Sequence, residues 1–435
     1  MKTIKVFTAF SGYESQMMGL ERLKEVYQEL SFELVGWCEI DENAIASHNA
    51  VYPQYANRHY PDISEIDWSK VPEFDLFVYS SCCQDISRAG NQKGVKEGSG
   101  TRSALLWYCL KGIKIKKPKY CLLENVASFT DFKFVEDLQD WEDCVNDCGY
   151  NSYIKTLIAA NYNVPQNRDR VFMVSIREDI EQEFYFPKRV ELTKKAVDLL
   201  EETPDSKYYY AEEDVLKFLC VMCGKNIPDG YETTRKMETQ TVNGKILSQI
   251  ITPTYGGGII PTLLAGGGDG ASWQNGLGKR TMPIVLELWE SSEHKYVDYK
   301  AIIAAAKVRK EDGRYTGLKK SAPAIKDALD GLKSNQFFRL RKMTPVEYLR
   351  FQDVSEDDIY RLTKPRETLE IEGYDEKEIG KLLSVEIENK QGKLVRKAIR
   401  NTDADLWKQA GNSIAVGVLT ALFKELFRPV ASEQN

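Results

Sequence analysis

Through the first 126 residues, short runs of β-branched and aromatic residues alternate with stretches of helical periodicity, and no other feature constrains the chain as strongly. Strands are expected at Ile4–Phe10, Phe32–Cys38, Leu76–Ser80 and Tyr120–Leu123, and helices at Ser15–Leu30, Glu42–Val51 and Ala104–Lys116. In the first helix Met18, Leu23, Val26, Tyr27 and Leu30 recur near helical spacing behind Ser15, a candidate N-cap. This βαβ rhythm predicts an α/β fold with a mostly parallel sheet and helices on both faces. The pattern then changes. Only Ala160 to Arg170 separate the strand Tyr153–Ala159 from Val171–Ile176, too few residues for a helical crossover, so this pair is predicted to be an antiparallel hairpin. A parallel sheet that ends in a hairpin does not suit a nicotinamide-dependent dehydrogenase.

Beyond about Lys188 the alternation fades, and glycine runs at 256–258 and 266–268 punctuate a region of turns and short strands. Three regions are expected: a catalytic domain at 1–188, completed by a C-terminal helix at 403–435; a smaller, irregular, β-rich domain at 189–352; and a connecting segment at 353–402. A further helix is expected at Thr344–Gln352, and one apolar-periodic helix at Ala404–Phe427. With 42% hydrophobic residues in 435, the chain has enough apolar surface for more than one core.

The formal net charge of −6 does not by itself announce a nucleic-acid partner. Basic residues do gather between Lys307 and Lys320 and in Arg339 to Lys342, runs whose plain reading is a solvated surface. No stretch reaches the ~18 apolar residues of a membrane span, and the first residues lack a signal-peptide pattern. Nine cysteines without regular spacing fit free thiols in a reducing compartment, so a cytoplasmic location is expected. Separately, the chain is expected to act as a monomer. Cys220 and Cys223 have half a zinc-site spacing without a second pair, and no metal is assigned. The three histidines, His48, His59 and His294, fall outside every motif.

Four clusters carry candidate chemistry. Phe10-Ser11-Gly12-Tyr13-Glu14-Ser15 joins the first strand to the first helix, and Gly12 permits a tight turn and close backbone approach. Glu39 ends the second strand, where the ribose hydroxyls of a nucleoside expect a carboxylate; Asp62 and Ile63 offer a second carboxylate and an apolar face. Cys83 follows the strand Leu76–Ser80, and a thiol at that sheet edge sits where ligands bind. Glu124-Asn125-Val126 ends the next strand, and Gln166, Arg168 and Arg170 lie in the hairpin. Taken singly, each has a plain structural reading: a βα turn, a turn cap, a small buried thiol.

Read in order, Phe10-Ser11-Gly12, Cys83-Gln84, Glu124-Asn125-Val126, Gln166-x-Arg168-x-Arg170, Arg341-x-x-Thr344-x-x-Glu347 and Gly411-Asn412-Ser413 resemble the motif set of the DNA (cytosine-5)-methyltransferases of bacteria and phages. The resemblance runs from residue 4 to about 424, apart from a variable recognition region. It implies the Rossmann-like fold of S-adenosylmethionine-dependent methyltransferases with a target-recognition domain at 189–352. It also implies that Cys83 attacks carbon 6 of a flipped-out cytosine in double-stranded DNA, that Glu124 holds or protonates ring nitrogen 3, and that Arg170 bonds the ring oxygen. Arg168 is implied to orient Glu124 or the catalytic loop, Asn125 to brace it, and Gln166 to be structural. The cofactor S-adenosyl-L-methionine is implied to contact Phe10, Gly12, Glu39, Ile40, Asp62, Ile63, Leu105, Asn412 and Ser413. A base inside a stacked duplex is out of reach, so a mobile lid is expected over Gln84–Gly100, with Gln84, Ser87, Arg88, Gln92 and Lys93 available to DNA.

The chain departs from the family pattern at three places: Cys82 stands where proline is usual, Ser81 where proline or an aromatic is common, and Glu14-Ser15 replace a second glycine pair. Neutral drift, an inactive enzyme, and a modified base or non-standard donor remain open as explanations. So do a non-catalytic DNA-binding protein on this scaffold and a methyltransferase of RNA cytosine. A cognate restriction endonuclease, a phage setting and an orphan setting all fit.

Overall fold

The computed structural model describes residues 1–80, 86, 102–226, 237–238, 245–252, 258–263, 283–292, 297–307, 322–388 and 393–432. Its centre is a seven-stranded sheet in the order β3-β2-β1-β4-β5-β8-β6. The strands are β1 (Lys2–Ala9), β2 (Leu30–Cys38), β3 (His59–Tyr60), β4 (Leu76–Ser80), β5 (Tyr120–Val126), β6 (Tyr150–Ile158) and β8 (Asp169–Arg177), with the short β7 (Gln166–Asn167) between the last two. β1 to β5 run parallel, whereas β8 is antiparallel to both β5 and β6, as the eleven-residue spacing predicted. The strand order reverses between β1 and β4, and the crevice at such a switch point is where open α/β sheets bind ligands.

Four helices follow strands of the parallel part: α1 (Ser15–Glu21), α2 (Glu42–Val51), α3 (Leu106–Lys116) and α4 (Val135–Asn146). α2 starts where the sequence predicts because Asp41 caps it, accepting from the amides of Asn43 and Ala44 at 3.0 and 3.3 Å. α1 is shorter than expected. It ends at Glu21 in a 3-10 turn, since the chain must turn to lay Leu30 beside Lys2 in the β1–β2 register. One face of the sheet packs on α1 and the C-terminal helix Val416–Ser432; the other packs on α3 and α4. α1 approaches the C-terminal helix so closely that a Cβ on Gly19 would come within 2.8 Å of Leu419 Cβ.

The expected single helix over Ala404–Phe427 is two helices, Asp403–Asn412 and Val416–Ser432, broken at Ser413-Ile414-Ala415. The first ends on Asn412, and Arg168 binds the carbonyls of Gly411, in its last turn, and Ser413, which opens the break, so the apolar periodicity continues across a point where the backbone does not.

A second, five-stranded sheet forms from Met237–Glu238, Tyr209–Tyr210, Gln336–Lys342, Ile284–Glu290 and Lys245–Thr252 in that order. Helices Glu212–Met222, Tyr299–Ala305 and Ala322–Asp330 share its core through Phe218, Tyr299 and Ile325, so this region is more regular than its glycine-punctuated sequence suggests. The basic run at 339–342 is not a solvated face. Arg339 and Arg341 are buried, and Arg341 lies 2.6 Å from Glu287 and 2.7 Å from Glu347. The segment after Phe351 forms helices Glu356–Thr363 and Glu376–Leu382 and the hairpin Ser384–Glu388/Leu394–Ala398, with a small core laid on Ala46 and Ala50 of α2. Among the described residues no helix is long and apolar enough to cross a membrane.

Candidate active site

The C-terminal edge of the parallel strands gathers most of the sequence-predicted residues. The turn after β1 is wound left-handed three times in five residues: Phe10 at φ 58°, Gly12 at φ 58° and Glu14 at φ 75°. Only glycine adopts this conformation freely, and strain of this kind concentrates at ligand clamps. Glu39, at the end of β2, faces that turn. Its Oε2 accepts from Gly12 N at 3.0 Å, and its Oε1 from the amides of Ile40 and Asp41 at 2.8 and 2.9 Å. Burial raises the Glu39 carboxyl, and the three amides offset part of that rise.

Ile40 is 66% exposed beside these polar groups, an uncovered apolar surface at the switch-point crevice. Ile63 is buried after β3, and the Oδ1 of Asp62 accepts from Ser64 N and Oγ at 2.8 and 2.7 Å. Leu105 ends the 3-10 turn before α3 and is half-buried. Asn412 is exposed and Ser413 half-buried at the break between the last two helices. The bridge from Lys408 Nζ to Asp41 Oδ2, 2.6 Å long, ties the helix carrying Asn412 to the start of α2.

On the other side of the switch point, Ser80 at the end of β4 pairs with Glu124 of β5. Because β8 is antiparallel, its first residues arrive at the edge where β5 ends. Arg170 pairs with Val126, so its side chain is a diagonal neighbour of Glu124, and Nε lies 3.1 Å from Glu124 Oε1. Glu124 is buried, and burial raises its carboxyl above the ordinary carboxylate value despite the opposing charges of Arg170 and Arg168. A carboxyl in that setting holds its proton more tightly than an exposed one, which suits a general acid. Asn125 is buried beside it, and its Oδ1 accepts from Val126 N at 2.8 Å.

Arg168 is fully buried, and its described hydrogen bonds reach across the fold. It donates to the carbonyls of Gly411 at 3.0 Å, Ser413 at 2.5 Å and Leu263 at 3.3 Å, while its charge still acts on Glu124. Gln166 is also buried and shares Leu263 with Arg168, donating to Phe351 O at 2.8 Å and accepting from Leu263 N at 3.1 Å. Ser81, Cys82, Cys83, Gln84, Ser87, Arg88, Gln92 and Lys93 lie outside the described residues, as does the lid expected at Gln84–Gly100 apart from Ile86. Ile86 is buried, and its carbonyl accepts from Ser128 Oγ at 3.0 Å, just beyond β5.

Comparison with known proteins decides what this edge belongs to. The family model for C-5 cytosine-specific DNA methylases matches residues 4–428. The chain belongs to that family. This methyltransferase is 31% identical to the type II methyltransferase M2.ScrFI of Lactococcus lactis subsp. cremoris, over 56% of the chain and 82% of the relative. It is 25% identical to the orphan methyltransferase M.SPRI of Bacillus phage SPR over the whole of both. Among solved structures, Schizosaccharomyces pombe Dnmt2 covers 98% of the chain, with 99% of that protein matched, at a TM-score of 0.54 and 16% identity. Entamoeba histolytica EhMeth covers 99% of the chain, also with 99% of its own length matched, at 0.55 and 14%. These two likenesses bear on the fold. The enzyme is a DNA cytosine-5-methyltransferase, as the ordered motifs implied.

Sequence reasoning missed a buried cluster under the β1 turn. Glu14, His48 and Trp37 are buried there with His59 beside them, although no histidine lies in a motif. The one signal available was Glu14 itself, a charged residue where a glycine is usual.

Proposed function

We propose that this methyltransferase acts on a cytosine flipped out of double-stranded DNA, through a transient bond between Cys83 and carbon 6, with S-adenosyl-L-methionine as donor. The observation that carries the reading is the Glu124–Arg170 pair at the junction of β5 and β8: a buried carboxyl with a raised proton affinity held by a guanidinium 3.1 Å away. As the Cys83 sulfur bonds to carbon 6, electron density moves toward ring nitrogen 3. A proton held by Glu124 neutralises it there, and Arg170 supplies a donor for the ring oxygen. Carbon 5 thereby becomes nucleophilic. Carbon 5 would bond to the donor's methyl as the bond from that methyl to the sulfonium breaks, leaving a neutral thioether. A base then takes the carbon 5 proton, the Cys83 sulfur leaves as the thiolate, and the nitrogen 3 proton returns to Glu124.

The chemistry of the other half of the edge fits the donor. Glu39 presents a carboxylate suited to ribose hydroxyls, Ile40 and Ile63 are apolar partners for an adenine ring, and Asp62 is an acceptor for its amino group. Phe10, Gly12, Leu105, Asn412 and Ser413 complete the set. When bound, S-adenosylmethionine supplies an electrophilic methyl on a positively charged sulfur. Gln84, Ser87 and Arg88 are proposed to touch the DNA. The second lobe, from about residue 189 to 352, is proposed to read the target sequence, with the chain acting as a monomer. Orphan names among the full-length relatives argue against a linked endonuclease.

The test is incubation of the purified protein with duplex DNA of mixed sequence and methyl-labelled S-adenosylmethionine, followed by identification of the labelled nucleoside. Labelled 5-methylcytosine that disappears in Cys83→Ala is expected. Label on another base, or undiminished transfer by the variant, would overturn the reading.

A further inference from the structure

We infer that Glu14 is a positioning residue for the cofactor, anchoring the left-handed turn after β1 to α2 through His48; this rests on the assignment of that turn to S-adenosylmethionine. Glu14 stands at φ 75°, ψ 44°, a conformation natural to glycine and unfavourable for a residue with a Cβ. Its side chain is completely buried. A buried carboxylate persists only where partners hold it; here these are one hydrogen bond, from Thr8, and one close ring contact, with His48, that is not a hydrogen bond. Thr8 Oγ1 donates to Glu14 Oε2 at 2.9 Å, and His48 Nε2 lies 3.4 Å from the same oxygen. The Thr8 hydroxyl is also 2.9 Å from that of Ser11, which donates to Cys38 O at 3.2 Å. The carboxylate therefore closes the Thr8–Ser11–Glu14 turn from its buried side.

From His48 the contacts lead back to the opposite lip of the crevice. The His48 ring stacks on Trp37 at 3.6 Å and 15°, and His59 lies 4.2 Å from the same indole. His59 Nε2 is 2.8 Å from Glu39 O, and Glu39 Oε2 accepts from Gly12 N. The turn after β1 and the carboxylate at the end of β2 are thus joined twice: directly by Gly12 and Glu39, and from beneath through Glu14, His48, Trp37 and His59. A glycine at position 14 would hold the same backbone angle without strain, but without this second link. What Glu14 contributes is the fixed placement of the turn relative to α2.

Three variants in the full-length protein test this. Glu14→Ala keeps the strained Cβ and removes the anchor, and S-adenosylmethionine binding, measured by calorimetry, is expected to weaken about tenfold. Glu14→Gly also removes the anchor but relieves the strain, so binding should weaken there too, by less than in the alanine variant. His48→Leu leaves Thr8 in place but removes the second partner, and should weaken binding in the same direction, which keeps the question answerable if Glu14→Ala does not fold. Hydrogen exchange in the cofactor-free protein gives an independent readout: amides of Ser11 to Met18 should exchange faster in Glu14→Ala and His48→Leu, with those of β4 and β5 unchanged. Wild-type affinity and exchange in Glu14→Ala would overturn the inference, as would wild-type affinity in Glu14→Gly, which would assign the alanine effect to backbone strain alone. If the wild-type protein does not bind S-adenosylmethionine, it is the cofactor assignment that fails, and the exchange rates still decide whether Glu14 anchors the turn.

Discussion

Arg170 Nε lies 3.1 Å from Glu124 Oε1, and this contact exists because β8 runs antiparallel to β5. In an all-parallel sheet the start of the last strand would lie at the far edge. The reversal brings a guanidinium to a buried carboxyl, and leaves its proton affinity raised rather than abolishing the shift.

The first prediction concerns the chemical step. Glu124→Gln keeps the size of the side chain but has no transferable proton, so the single-turnover rate should fall by about 10²–10⁴-fold. Binding of DNA and cofactor should change little, since neither depends on the proton. A rate within a few-fold of wild type would remove Glu124 from the proton path.

Stability should carry the mark of the same carboxyl. Burial raises Glu124 above its unfolded value, so its proton is held more tightly in the folded protein. The stability this contributes is fully present below the unfolded value, about 4.3, and is lost as pH rises through the folded value. Glutamine carries no such penalty. The melting temperature of Glu124→Gln should therefore exceed that of wild type at neutral pH, with the gap closing in acid; a gap of opposite sign would contradict the burial argument.

Arg168 joins β8 to the helix break at Gly411 and Ser413 and to Leu263. Arg168→Ala leaves these buried carbonyls short of a donor, at a cost of about 1–3 kcal/mol. Because Asn412 and Ser413 are proposed to contact the cofactor, the loss should appear both as a lower melting temperature and as a weaker cofactor Kd. A drop in rate with neither change would place Arg168 in the chemistry instead.

Arg341 is the centre of a fully buried network. Besides its two carboxylate partners, Glu287 accepts from Tyr209 and Trp289 at 2.7 Å each, and Glu347 closes a capping box with Thr344. Removing Arg341 leaves two buried carboxylates without their shared cation, so Arg341→Met should cost about 3–5 kcal/mol. Denaturant unfolding reads this directly. A loss below about 1 kcal/mol, the range of a surface pair, would show that water reaches the network.

The sequence by itself determined the succession of the central strands along the chain and their direction, because alternation and loop length are local properties; their order across the sheet is tertiary. Leu76–Ser80 and Glu42–Val51 have the bounds that their periodicity and flanking residues predict, and the eleven-residue link between β6 and β8 admits only an antiparallel pairing. It also placed Glu39, Glu124 and Arg170 on one edge, since each sits at a strand end. Only the tertiary structure decided the rest. Arg168 meets Gly411 across 243 residues and Glu14 meets His48 from another element, contacts that leave no period or spacing in the chain. The break at Ser413–Ala415 is silent in the apolar pattern for the same reason: both helices bury one face on the same core, and the residues that interrupt them answer to a distant guanidinium. Arg341, which reads as part of a charged surface run, is internal because two glutamates from other segments converge on it. Periodicity reports which face of an element is buried; what that face meets is set by where the sheet edge gathers it.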